Sequence, residues 1–227
     1  MKTKTVIIAL AATVLLAGCG GPQSAEIDSI NGYLNGKKHG RWVERLGDDA
    51  GTAEGPYING KEHGLWVLRT ADGGVEEGPY VGGNKHGRWV LRFADGEVNE
   101  GPFVDGERHG HWVHRYANGD VAEGHFVDGK KHGLWVEQFT NGDVQEGHYV
   151  DGKKHGHWVL RGADGGVLEG HYMNGKAQGV WVWLFPDGSV AAGTMVDGEP
   201  HGRWYVQKPD GTETEVNWRN GEIVETE

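Results

Sequence analysis

The stretch Asp128–Val159 reads DGKKHGLWVEQFTNGDVQEGHYVDGKKHGHWV. The phrase DGKKHG occurs in it twice, 23 residues apart, and each time a tryptophan stands two residues after the last glycine. Working outward, tryptophan recurs at 42, 66, 89, 112, 135, 158, 181 and 204, in one step of 24 and six of 23. The residue three before the tryptophan is His39, His63, His86, His109, His132, His155 and His201, with Gln178 the exception. A second column is aromatic: Tyr33, Tyr57, Tyr80, Phe103, Phe126, Tyr149 and Tyr172, then Met195, then Trp218. A Glu-Gly pair precedes most of these, as at Glu123-Gly124 and Glu146-Gly147. The extra residue of the long step lies in Leu46–Gly55. There are about eight copies and a closing half copy, so residues 30–227 are expected to form one repeat array rather than several domains.

Each copy carries two turn signals, Asp-Gly followed by basic residues (Asp151-Gly152-Lys153-Lys154) and a second pair such as Asn141-Gly142 or Asp95-Gly96. These pairs favour positive φ and mark hairpins. Runs such as Trp135-Val136-Glu137-Gln138-Phe139 between them are rich in strand formers and too short for an ordinary helix. The fold expected is all-β: an elongated, single-domain antiparallel hairpin array of 16 to 17 strands in about eight 23-residue repeats. An odd period demands one turn with an even loop and one with an odd loop or a bulge. Asn141-Gly142 is assigned the two-residue loop, and the Asp-Gly-Lys-Lys-His turn the odd, three-residue one.

The pattern Glu-Gly-x-Tyr-x-Asp-Gly-Lys-x-His-Gly-x-Trp, in phase from about Tyr33 to Gly221, resembles the MORN repeat in its bacterial variant. The resemblance implies an elongated, twisted sheet of hairpins with a groove, and protein interaction or membrane-associated scaffolding rather than catalysis.

Lys2 and Lys4, the apolar run Val6–Ala17 and then Leu16-Ala17-Gly18-Cys19 resemble a lipoprotein signal. That resemblance implies removal of residues 1–18, a lipidated Cys19 such as a palmitate-bearing one, a tether over 19–29, and a place on the exported side of the cell membrane or outer membrane. Cys19 is the only cysteine, so no internal disulfide can form. The formal charge is −11, and losing residues 1–18 removes two lysines and no acid, which takes it to −13. Such a balance excludes a general nucleic-acid binder.

The columns suggest surfaces rather than a catalytic centre, because catalysis needs unlike residues converging on one place. No nucleophile elbow or phosphate loop is present, and no cofactor or enzyme activity is expected. The groove candidates are Trp66, Trp89, Trp112, Trp135 and Trp158 with Tyr80, Phe103, Phe126 and Tyr149; burial of the same residues as a shared core is the competing reading. Lys130, Lys131, Lys153 and Lys154 suggest a basic edge able to rest on anionic lipid, and the competing reading is solvated charge. The histidine column is expected to brace the hairpin turns by hydrogen bonds. His109, His111, His125, His148 and His157 form the alternative metal- or pH-responsive set, although ladder histidines about 10 Å apart cannot share one ion. The leading functional expectation is a lipid-anchored envelope scaffold, tied to the membrane through Cys19, that binds an envelope protein or the membrane surface. Cell-wall glycan in an aromatic groove is a further alternative.

Overall fold

The computed structural model describes residues 30–47, 51–219 and 221–224. The leader, Cys19 and the tether lie outside the described residues. One open antiparallel sheet runs through the described chain, with no helix. Each strand pairs only with the strands next to it in the chain, from Gly32–Leu34 at one edge to Glu222–Val224 at the other. There are 21 strand segments, against the 16 to 17 expected. Three strands are interrupted, at His63, His86 and His109. Opposite these stand Pro56, Pro79 and Pro102, whose missing N–H removes a ladder bond. The prolyl oxygens still accept from the histidine amides at 2.9 to 3.0 Å. Counting each interrupted strand once leaves 18 passes.

The parity deduced from the period holds, but the two turns exchange roles. Val127 pairs with Lys130 across a two-residue loop, Asp128-Gly129. Both loop residues have positive φ, 48° and 73°, as a type I′ turn requires. The Asn141-Gly142 turn is the odd one: Phe139 N–H donates to the Asp143 oxygen at 2.9 Å and closes a three-residue loop. Only Gly142 is left-handed there, with φ 90°, because the Asn141 side chain accepts from the Asp143 N–H and completes an Asx turn. The extra residue of the long copy is absorbed in this loop, which Leu46 closes by donating to Gly51.

A two-residue bulge completes the 23-residue period. Between strands Val121–Val127 and Lys130–Gln138 the pairing jumps from His125↔His132 to Gly124↔Trp135, so Gly133 and Leu134 face no partner on that side. Gly133 takes φ 70°. The bulge swings the indole of Trp135 back so that its Nε1 donates to the His125 oxygen at 3.1 Å. Trp66, Trp89, Trp112, Trp158 and Trp204 make the same bond to the residue ten before, at 2.8 to 3.2 Å.

The core lies on one face of the sheet. Each indole lies flat on the glycine of the preceding Glu-Gly pair and is flanked by the aromatic column. The rings alternate Tyr57, Trp66, Tyr80, Trp89, Phe103, Trp112, Phe126, Trp135, Tyr149, Trp158, edge to face, with centroids 5.0 to 6.0 Å apart. Trp89, Trp112 and Trp135 are 0% exposed. Each such indole removes roughly 150–250 Å² from water, at most about 4–6 kcal/mol of transfer free energy. The opposite face is mixed, with a valine column that includes the buried Val159 set beside a column of glutamates. There Glu100 accepts from Arg88 and Arg115, both at 2.7 Å, and these bonds hold its carboxyl below the usual carboxylate range.

Candidate functional site

A single sheet leaves its core face open to water, and in most copies a cation closes it. Where the second residue after the turn glycine is basic, it folds across the aromatic row instead of standing out as an edge. Lys131 Nζ lies 4.0 Å from the Trp135 ring centre and 5.0 Å from that of Tyr149. Lys154 stands 4.0 Å over Trp158, Lys85 4.3 Å over Trp89, Arg108 4.6 Å over Trp112 and Lys38 4.8 Å over Trp42. Burial lowers the pKa of Lys131, Lys154 and Arg108, with Glu137 pulling the two lysines the other way. The same burial, aided by Glu137, pushes the Tyr149 hydroxyl up to about 12. Lys130 and Lys153 alone of the four expected edge lysines remain exposed.

This arrangement corrects the groove expectation for the middle copies. Trp66, Trp89, Trp112, Trp135, Trp158, Phe103 and Phe126 are buried, and Tyr80 and Tyr149 half-buried, because glycine lies beneath the indoles, aromatics beside them and a cation above each except Trp66, where Glu62 takes that place. They are the core.

The cover fails in the seventh and eighth copies. The capping column there holds Ala177 and Pro200, and the aromatic column holds Met195. A cleft of about 560 Å³ opens at this place, with Tyr172, Ala177, Trp181, Met195, Pro200 and Trp204 around it. Leu168, Trp183 and Trp218 complete its apolar wall. Trp183 is 45% exposed and stacks on Phe185 with centroids 4.5 Å apart. The Trp181 Nε1 lacks the carbonyl partner that the other indoles of the row find. Lys176 on the rim lies 3.6 Å from Asp197, and Gln178 donates to the same carboxylate. In the sequence Gln178 and Met195 stand out as exceptions to their columns, and neither by itself points to a site. Breaks in the capping column at 177 and 200 were the signal that could have found it.

The histidines do not converge. His111 and His125 sit directly opposite each other, ring centroids 5.4 Å apart, and His111 Nε2 lies 3.6 Å from Glu123. His157 repeats this with His171 and Glu169. His148 faces Leu134 and His155, and His109 lies 3.7 Å from Asp128 of the next turn. That separation exceeds a hydrogen bond, so the expected imidazole brace of the turn is not made between these two side chains at this copy. Among the described residues no three His, Cys, Asp or Glu side chains gather to hold a metal ion.

Nothing in the repeat pattern marks His114 as buried. It is 7% exposed, in the row where neighbouring copies carry Leu91, Glu137 and Leu160, and stacks on Phe126 with centroids 5.9 Å apart. Its Nε2 finds no partner. Burial first, then the nearby charges of Arg108 and Lys131, lower its pKa to about 4.

No protein-family model matches the chain, and no curated protein matches it. Among solved structures it is similar to the G-box domain of the microcephaly protein CPAP, at 16% identity over 82% of this chain and 97% of that one, TM-score 0.43. It is also similar to the TCP10 domain of Danio rerio CPAP, at 14% identity over 81% and 92%, TM-score 0.39. The TCP domain of SAS-4 (dCPAP) of Drosophila melanogaster, in complex with a Proline Rich Motif of Ana2 (dSTIL), matches at 13% identity over 67% and 83%, TM-score 0.39. At these TM-scores the likenesses carry no functional argument.

Proposed function

We propose that the protein is a lipid-anchored, MORN-type β-repeat scaffold of the cell envelope that binds a protein partner through the uncovered end of its aromatic face. It acts by binding and not by catalysis. The observation that carries the reading is the break in the cover: copies that otherwise repeat one another differ at Ala177, Met195 and Pro200, around one apolar cleft. Near-identical copies make a frame, and the two neighbouring copies whose departures leave an apolar cleft make a site. The cleft is twelve strands along the sheet from Trp42, roughly 58 Å at the usual strand spacing, towards the opposite end of the array from the first described strand, Gly32–Leu34. An anchor at one end and a contact surface at the other suit a molecule that holds a partner away from a membrane.

The test is cross-linking in intact envelopes with the full-length protein, its Cys19→Ser form and a Trp183→Ser form. Trp183 is exposed, so its loss leaves the buried row intact. One protein captured reproducibly by the full-length form, and lost from both variants, supports the reading. Capture of bulk lipid and wall alone, or capture that ignores Trp183, overturns it.

A further inference from the structure

The molecule itself displays what its indole faces accept. Five copies seat a cation of their own, Lys38, Lys85, Arg108, Lys131 or Lys154, between 4.0 and 4.8 Å from the tryptophan ring centre. Over Trp181 and Trp204 the column holds Ala177 and Pro200, and neither can supply a charge. Glu62 also breaks the column, but it accepts from the Tyr57 hydroxyl at 3.2 Å, and Trp66 beneath it is only 2% exposed.

We propose that the cleft binds a lysine or arginine side chain from an extended segment of a partner protein, seated over Trp181 and Trp204 where the earlier copies seat their own cation. This rests on the binding reading above and names the chemistry of the partner. Three observations bear on it. The walls are apolar and aromatic, which suits the methylene stem of such a side chain as well as its head. The cleft, at about 560 Å³, has room for a side chain and the backbone that presents it. The chain carries a formal charge of −11, and Asp197 and Glu199 stand beside Gly198 of the cleft wall in the chain, Asp197 shared with Lys176 and Gln178, so the acidic balance favours a basic segment. The one cation on the rim, Lys176, is directed to Asp197; Trp204 is half-buried, and Trp181, though 7% exposed, forms part of the cleft wall.

The experiment uses the full-length protein in neutral detergent micelles, labelled so that each indole N–H gives its own resonance. It is titrated with the blocked tripeptide Gly-Lys-Gly and with its norleucine counterpart, which keeps the stem and lacks the charge. The expected result is movement of the Trp181 and Trp204 resonances, with the lysine peptide bound roughly fivefold or more tightly than the norleucine one. An Ala177→Lys/Pro200→Lys variant copies the arrangement of Lys131 and Lys154 into the empty seats. It should keep the rest of the spectrum and lose the response. Equal binding of the neutral peptide overturns the proposal, as does undiminished binding by the variant. A response to phosphatidylcholine vesicles without one to the peptide also overturns it, and assigns the seat to a lipid headgroup. Partner capture in the envelope is read separately. If capture persists while these titrations fail, the scaffold reading stands and only the cationic partner is lost.

Discussion

The indole of Trp135 lies so close upon Gly124 that a Cβ added there would stand 2.5 Å from its ring carbons. Gly147 under Trp158, and Gly101 under Trp112, stand in the same relation at 2.2 to 2.6 Å. The glycine of the Glu-Gly pair is therefore the floor on which each tryptophan rests. Because ring and floor are both held by the ladder, a methyl group has nowhere to go. Gly124→Ala should lower the stability of the folded array by about 1–3 kcal/mol, the usual cost of overpacking. The measurement is the urea midpoint followed by tryptophan fluorescence; an unchanged midpoint would show that the ring can lift away.

The covering lysines should matter through stem and charge together. Lys131→Ala opens the face of Trp135, and the loss expected is about 1–2 kcal/mol. Lys131→Met restores the apolar stem and should recover part of it. Fluorescence emission should shift to the red in the alanine form and less so in the methionine form. Identical spectra in both forms would refute the cover.

His114 ties stability to pH. Its pKa is about 4 in the folded chain against the usual 6.5, because the buried ring is held neutral. The unfolded chain therefore binds more protons between those two values. Stability is undiminished by this residue above about pH 6.5, falls as pH drops towards 4, and changes no further from this cause below it. The loss across the window is roughly 3 kcal/mol. His114→Leu, which copies the equivalent Leu91 and Leu160, should flatten the profile and raise the midpoint at pH 5 more than at pH 7. An equal gain at both values would locate the effect in packing alone.

The two turns should respond oppositely to one exchange. Asp128 is left-handed at φ 48°, whereas Asn141 is not left-handed and uses its side chain within the loop. Asp128→Ala therefore costs about 1 kcal/mol through backbone strain. Asn141→Ala costs a similar amount through the lost bond to the Asp143 amide. Adding glycine at position 128 instead of alanine should restore stability, while glycine at 141 should not. Denaturation midpoints of the four variants decide it.

Much of this fold is legible before any coordinates, since tryptophan spacing and paired turn signals leave little but a meander of hairpins. The assignment of the two turns failed because Asn141-Gly142 and Asp128-Gly129 look alike as dipeptides. What separates them is whether the first side chain bonds within its own loop. The bulge at Gly133-Leu134 was hidden for a different reason: it is stabilised by the Trp135 Nε1 reaching His125, ten residues back on another strand. Lys131 looked like solvated charge, and its position over the ring follows from that same bulge. The cleft was half visible. Met195 and Gln178 stood out as departures, but Ala177 and Pro200 acquire meaning only once the residues they replace are seen to cover indoles.

Pairing only between chain neighbours makes the molecule a ruler that can be cut and spliced. Removing any 23 consecutive residues from the regular part of the array brings like against like at the join, so the strands on either side meet in the register they already have. The reach from the first hairpin to the uncovered end would shorten by about 10 Å, two strand spacings, with its floor, rings and turns otherwise unaltered. Distance in this architecture is thus a countable property, set by the number of copies and independent of what the last two copies hold.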